Sequence, residues 1–180
     1  MDERASFDAN DMEAAMNSMP LHPAIVHLPL VIAIFMPLIA IGFAWARWTG
    51  WLRPRAWLTV VAFQALLLGS GLVAMRTGEA EEERVESVVR ESALHAHEEL
   101  ADQFVWAAGL TLVLTGLVLV VRRPAAVRLV VSGVVAATIV VAALGLRVGH
   151  AGGQLVYVHG AASAYAQPSA PPDAHRDDRE

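Results

Sequence analysis

Apolar residues in this chain are gathered into four long blocks, at about 24–46, 56–75, 103–121 and 129–148. A helix rises about 1.5 Å per residue, so about 20 apolar residues are enough to cross the hydrocarbon layer of a bilayer. A soluble domain of this size needs no such segments. The pattern predicts an all-α integral membrane protein, an antiparallel four-helix bundle embedded in the lipid bilayer.

Polar segments before, between and after these blocks divide the chain. An acidic N-terminal arm is expected over 1–20, the four-helix domain over 21–162, and a polar, Pro-rich C-terminal tail over 163–180. The stretch 79–100 is polar but carries Val and Ala at helical spacing, which predicts a short amphipathic helix between the second and third spans. After the fourth span comes GHAGGQLVYVHG, in which Gly149, Gly152 and Gly153 predict a tight turn at the surface.

The first block opens on LHPAIVHLPL, residues 21–30, with two prolines beside two histidines. Pro23 suits a first helical turn, where a missing N–H costs nothing. Pro29 removes a backbone hydrogen bond and frees the carbonyl of Ile25. The sequence therefore predicts a kink at this end of the helix, next to His27.

The distribution of arginine predicts how the spans are oriented. The two short connections RWTGWLRPR and RRPAAVR carry six arginines and no acidic residue. The longer segment 76–100 carries eight glutamates and three arginines. Basic loops stay on the cytoplasmic side. We therefore expect a multi-pass protein of the bacterial inner membrane with both termini in the periplasm.

Composition narrows the possible functions. The chain of 180 residues is 56% hydrophobic, contains no cysteine and has a net charge of −5. Disulfides, thiolate metal sites and cysteine nucleophiles are thus excluded. We find no nucleophile–base arrangement, no phosphate loop and no paired carboxylates within a span, so an enzyme is not expected. The acidic balance, with basic residues confined to two loops, disfavours nucleic acid as a partner.

Histidine is distributed asymmetrically. The chain has seven histidines, and each lies at or beyond the membrane face that carries the termini. These residues are His22, His27, His95, His97, His150, His159 and His175. Imidazole is a common ligand of haem iron and of transition metals, and polar groups at membrane depth tend to be functional.

Two kinds of cofactor site suit this pattern. Inward histidines on facing helices of a bundle can hold haem b, and His27, His97 and His150 are the candidate ligands. A non-haem metal site is the competing version, with candidates His22, His27, His97, Glu98, His150 and His159. A purely structural alternative also stands, in which hydrogen-bonded histidines pin the glycine-rich segment 149–160 onto the end of the bundle.

Four motifs occur in order along the chain: HPAIVHLPLVI at 22–32, TGEAEEE at 77–83, HEELA at 97–101 and GGQLVYVHG at 152–160. Together they resemble DUF2231, a bacterial family of predicted membrane proteins with a domain of unknown function. The resemblance covers about 20–162 and implies a four-span bundle with its histidine motifs on one face. It implies no established activity, although some relatives look joined to cytochrome-like modules.

Two functions are therefore expected. The first is a non-enzymatic accessory subunit that packs within a larger respiratory or photosynthetic electron-transfer complex of the membrane. Its small size, its small-residue helix faces and its polar arms favour this role. The alternative is a haem b or metal-binding membrane electron carrier that uses the periplasmic histidines.

Overall fold

A computed structural model describes residues 21–165, so the arms predicted at 1–20 and 163–180 lie outside the described part except for 163–165. These residues form helices and no strand. The α-helices are α1 (Leu21–Ile25), α2 (His27–Trp48), α3 (Trp57–Glu86), α4 (Glu91–Val120) and α5 (Pro124–Tyr157), and short 3-10 helices span Pro54–Ala56 and Ala161–Tyr165. Four helices are long and apolar enough to cross a membrane, which confirms the predicted fold class.

The four long helices form a ring in which each packs against two neighbours. Helix α2 contacts α3 and α5, and α4 contacts the same two helices from the opposite side. Short connections between the helices leave Arg53, Arg55, Arg122 and Arg123 at one end of the bundle, which we call the arginine end. Helix α1, the α3–α4 connection and the segment Ala161–Tyr165 lie at the other end, which we call the terminal end.

The interior is narrow and its outer surface is apolar. Small side chains of α2, including Ala33, Ala40 and Ala44, are fully buried and let the helices approach closely. Large apolar side chains such as Leu38, Val113 and Leu129 are exposed instead. A surface of this kind suits contact with lipid tails, because it has no polar face to offer water.

Pro29 is accompanied by a one-residue interruption of the helix, whereas the kink itself stays a prediction, because Val26 keeps helical backbone angles of φ −60° and ψ −21°. The helix is interrupted at Val26, between α1 and α2, three residues before Pro29. This break separates the short helix that carries His22 from the long helix that begins at His27. Helix α1 packs against α3, so the interruption directs His22 towards the terminal end of α3.

Two local predictions are wrong. No separate amphipathic helix occupies 79–100, because these residues extend α3 to Glu86 and open α4 at Glu91. Val89 and Leu94 pack there with Leu155 and Ala161 in a second apolar cluster, which stabilises the extensions. The turn expected after the fourth span is also absent, since α5 continues through Gly149, Gly152 and Gly153 to Tyr157.

Candidate functional site

The terminal end of the bundle contains two adjoining cavities of about 570 and 420 Å³. The larger, which we call the acidic cavity, has a mainly apolar lining that also includes five acidic residues: Glu79, Glu81, Glu82, Glu98 and Asp102. The smaller, the apolar cavity, is lined mostly by aliphatic and aromatic side chains such as Leu30, Phe104 and Val148. Of the residues that line both cavities, His22, Met75 and His97 are those whose side chains carry a nitrogen or sulfur atom; the others are Pro23, Ala101, Gly152 and Val156. We call His22, Met75 and His97 the partition.

His22 is held by the terminal end of α3. Its Nδ1 lies 2.8 Å from the carbonyl oxygen of Ala74 and 3.3 Å from Oγ1 of Thr77. A carbonyl oxygen only accepts hydrogen bonds, so Nδ1 carries the proton that it donates to Ala74. In the neutral ring the lone pair then lies on Nε2, where it is free to bind a ligand. The backbone N–H of His22 donates to Oε1 of Glu81 at 3.2 Å.

His97 lies against α5. Its ring packs closely against Gly152 of α5, while its Nδ1 is buried and has no hydrogen-bond partner within residues 21–165. A buried ring nitrogen without a partner is costly, because it has lost water and gained nothing in return. Such an atom calls for an explanation, and a hydrogen bond to water or a bond to a ligand would supply one.

A glycine makes room for each histidine. A Cβ added to Gly78 would lie 3.1 Å from Cε1 of His22, and one added to Gly152 would lie 3.2 Å from Cε1 of His97. Thus a glycine of α3 lies against the ring of His22, and a glycine of α5 lies against the ring of His97.

The two imidazoles lie against each other. Their ring centroids are 6.4 Å apart and their planes are nearly perpendicular, at 86°. His22 comes from the short α1 and His97 from α4, so the pair joins helices on opposite sides of the ring of spans. A cavity lies on either side of the pair, because both rings line both cavities.

A short segment of chain lies beside the acidic cavity. Gly160 takes a positive φ of 77°, which turns the chain after α5, and Ala161 and Tyr165 then line the cavity. The hydroxyl of Tyr165 donates to Oε2 of Glu81 at 2.5 Å, and the guanidinium of Arg84 lies 5.5 Å from the ring centroid. Burial and the neighbouring Glu81 carboxylate raise the pKa of Tyr165 to about 12.

The structure places the other predicted site residues in different surroundings. His27 is exposed and lines the apolar cavity, whereas His150 is exposed and lines neither cavity. His159 is half-buried and lines neither one. Glu98 lines the acidic cavity, but its Oε2 lies 3.1 Å from Nδ1 of the exposed His95.

Of the predicted ligands, His22 and His97 are thus the two that meet. Within residues 21–165 no group of three or more His, Cys, Asp or Glu side chains is arranged to hold a metal ion. The predicted haem and metal ligand sets remain predictions, and His175 lies outside the described residues.

Sequence reasoning did not single out Met75, Gly152 or Tyr165 as site residues. Met75 lies in an apolar span, where a methionine is indistinguishable from any core residue. Gly152 was interpreted as part of a turn, although its place within the predicted GGQLVYVHG motif carried a signal. Tyr165 follows that motif by five residues and has no pattern of its own.

The chain was compared with protein families, with curated proteins and with solved structures. The comparison with curated proteins finds no match, and neither does the comparison with solved structures. One family model matches residues 18–164, which is most of the chain, and its description is a predicted membrane protein, DUF2231. This match spans all four helices and both cavities, and the chain therefore belongs to the DUF2231 family of predicted membrane proteins.

Proposed function

We propose that this chain is a non-enzymatic subunit of a bacterial membrane electron-transfer complex, respiratory or photosynthetic, in which His22 and His97 hold a redox-active group. The observation that carries the proposal is the buried Nδ1 of His97, which has no partner in the described residues and lies beside a second imidazole. Two cavities adjoin this pair, so there is room for a ligand on either side.

The structural alternative accounts for the pair less well. Histidines that only pin helices together find hydrogen-bond partners for their buried nitrogens, since an unpaired buried polar atom costs about 1–3 kcal/mol. His22 meets this requirement through Ala74. His97 does not meet it at Nδ1, so a group that binds this nitrogen would remove the cost.

The arginine distribution supports a location in the inner membrane. The two connections at the arginine end carry Arg53, Arg55, Arg122 and Arg123 without an acidic residue, which favours the cytoplasmic side. The cavities and the two histidines would then face the periplasm. A reporter fused after Arg55 should behave as cytoplasmic, and a periplasmic signal from it would reverse this orientation.

The redox-active group can be haem b or a metal ion. Haem b, which supplies one-electron transfer, would be held by His22 and His97, because they come from different helices and their rings lie close together. His27 and His150, the other predicted haem ligands, are exposed. A metal ion would use the same imidazoles.

The direct test is to purify the chain in detergent from bacterial membranes, and to record a reduced-minus-oxidised spectrum and the metal content. We expect haem or a transition metal that is lost in His97→Gln and retained in His150→Ala, the exposed control. A colourless, metal-free wild-type protein that also takes up neither haem nor metal when they are supplied would overturn the proposal.

A packing role within a larger complex is a second candidate. Gly109, Gly116 and Gly133 have no neighbour within 4 Å of an added Cβ, so they leave open hollows on the outside of the bundle. Small residues of this kind let another helix approach closely. Co-purification of a larger membrane complex that is lost in Gly109→Leu or Gly116→Leu would support this role, and a chain that purifies alone from its native membrane would contradict it.

A further inference from the structure

Resting on the proposed function, we infer that the partition is a binding site for one copper(I) ion, with His22, Met75 and His97 as its ligands. The sequence motifs already offer His22 and His97 as candidate metal ligands, but neither the motifs nor the family assigns Met75 or copper to the site. Beside the two histidines, the thioether of Met75 is a third donor. The chemistry of the three donors together identifies the ion as copper(I).

The ligand atoms suit a soft ion. Imidazole binds copper well, and a methionine thioether is one of the side chains that select Cu(I) over harder ions. The chain has no cysteine, so methionine is its softest donor. Met75 lines both cavities together with the two histidines, which places the three side chains around one region.

The state of the histidine nitrogens also suits a ligand. Metals bind the neutral imidazole through its unprotonated nitrogen. The hydrogen bond that one ring nitrogen donates determines that the other nitrogen is the unprotonated one. Donation from Nδ1 to Ala74 leaves the lone pair of His22 on Nε2. Nδ1 of His97 is buried with no protein partner in residues 21–165.

The spacing of the rings permits a shared ion. An imidazole nitrogen lies about 2 Å from a bound transition metal, so two rings on opposite sides of one ion have their centres about 6 Å apart. The centroids of His22 and His97 are 6.4 Å apart. Copper(I) accepts such an arrangement of two or three ligands, because it does not require a complete tetrahedron.

Two competing ligands fit the site less well. Protein-bound zinc normally has at least three His, Cys, Asp or Glu ligands, and residues 21–165 contain no such group. Haem b carries two anionic propionates, which the carboxylates of the acidic cavity would repel. A cation instead gains from these carboxylates, which raise its local concentration near the partition.

Two carboxylates of the acidic cavity can attract the copper ion. Glu81 already accepts hydrogen bonds from His22 and Tyr165, and Glu98 is engaged by His95. Glu82 and Asp102 line the acidic cavity without forming an ion pair. We expect them to guide the ion towards the partition rather than to bind it.

The experiment is an anaerobic titration of metal-free protein in detergent with Cu(I), in competition with bathocuproine disulfonate as a coloured chelator. The wild type should bind one copper per chain. Met75→Leu preserves side-chain volume and should weaken binding at least tenfold, and His22→Gln or His97→Gln should weaken it at least a hundredfold. Met36→Leu, a buried methionine outside both cavities, and His150→Ala are the matched controls and should bind as the wild type does.

The possible outcomes distinguish a failure of the copper site from a failure of the proposed function on which it rests. Copper that binds equally to the His97→Gln and wild-type proteins is adventitious and overturns the inference. A wild type that refuses Cu(I) but holds haem or another metal in a manner that depends on His97 also overturns it, while the proposed function survives. Failure to bind any of these groups overturns both. A thermal melt of each variant verifies that lost binding does not reflect an unfolded chain.

Discussion

The two ends of the bundle treat buried polar groups differently. Towards the arginine end, Nε1 of Trp57 donates to the carbonyl of Thr115 at 3.0 Å, and the hydroxyls of Thr111 and Thr115 donate to carbonyls of their own helix at 2.7 and 2.6 Å. At the terminal end the buried Nδ1 of His97 has no such partner among the described residues. The three donors named towards the arginine end are thus paired within the bundle, whereas this imidazole nitrogen at the terminal end is not.

Cavities follow the same division. Both described cavities are at the terminal end, whereas Trp57, Val60 and Leu67 fill the bundle towards the arginine end and are fully buried. Gln64 lies between Val60 and Leu67 on α3 and is also fully buried. Its Nε2 donates to the carbonyl of Ala108, while its Oε1 has no partner within residues 21–165, so one acceptor in the packed half is unpaired. One half of the bundle is thus packed and the other contains the cavities. We therefore expect mutations in the packed half to change stability and mutations at the cavities to change ligand binding.

The largest expected effect is in the packed half. Trp57→Ala removes a side chain that is 2% exposed, along with its hydrogen bond to Thr115, and should lower the free energy of unfolding by about 3–5 kcal/mol. Trp106→Ala is the matched control, because Trp106 is 75% exposed. Thermal or denaturant unfolding in detergent measures both variants. An equal loss of stability in the two would contradict the description of the packed half.

A smaller effect is expected where glycine makes room for an imidazole. In Gly152→Ala the new Cβ would lie 3.2 Å from Cε1 of His97, so the ring or the helix must shift. We expect a loss of about 1–2 kcal/mol in stability, together with weaker binding of Cu(I) in the titration described above.

The neighbouring glycine supplies the control for this change. Gly153→Ala meets nothing within 4 Å and should be neutral or gain up to about 1 kcal/mol, because alanine favours a helix more than glycine does. If both variants behave alike, then the close approach of His97 to α5 is not what Gly152 provides.

The smallest effect concerns the segment beside the acidic cavity. The pKa of Tyr165 is raised to about 12 by burial and by Glu81, above its value of about 10 in an unfolded chain. Its contribution to stability is therefore fully present below about pH 10 and is lost as the pH rises towards 12. Ultraviolet titration of tyrosinate in a Tyr157→Phe background measures this ionisation.

Glu81→Gln supplies the comparison for Tyr165. Loss of the carboxylate should lower the pKa of Tyr165, whereas Glu83→Gln on the exposed face should leave it unchanged. A midpoint near 10 in the parent protein would show that Tyr165 does not lie against Glu81 in solution.

Much of the fold could be predicted from the sequence, because the length and apolarity of a span report directly on the membrane. The interruption beside Pro29 was equally accessible, since proline removes a backbone donor wherever it occurs. The extensions of α3, α4 and α5 could not be predicted from the sequence. They depend on contacts such as those of Leu94 with Leu155 and Ala161, which join residues that are distant in the chain.

The location of the site could be predicted from the sequence, but which histidines pair with each other could not. Six histidines fall at one end because of where the spans stop, which a sequence shows. That His22 meets His97, while His150 faces outward, depends on the rotation of each helix about its axis. The continuation of α5 through Gly149, Gly152 and Gly153 sets this rotation for His150, and a turn at the same glycines would have placed it differently.

The central claim is that His22 and His97 share one ligand at the terminal end. Copper(I) is diamagnetic, so ¹⁵N NMR of protein labelled at histidine can follow each ring nitrogen before and after the ion is added. The account predicts a protonated Nδ1 on His22 in the free protein, and large shifts of His22 and His97 on addition of one equivalent of Cu(I), with His27, His150 and His159 unmoved. Shifts confined to the exposed histidines, or none at all, would contradict it.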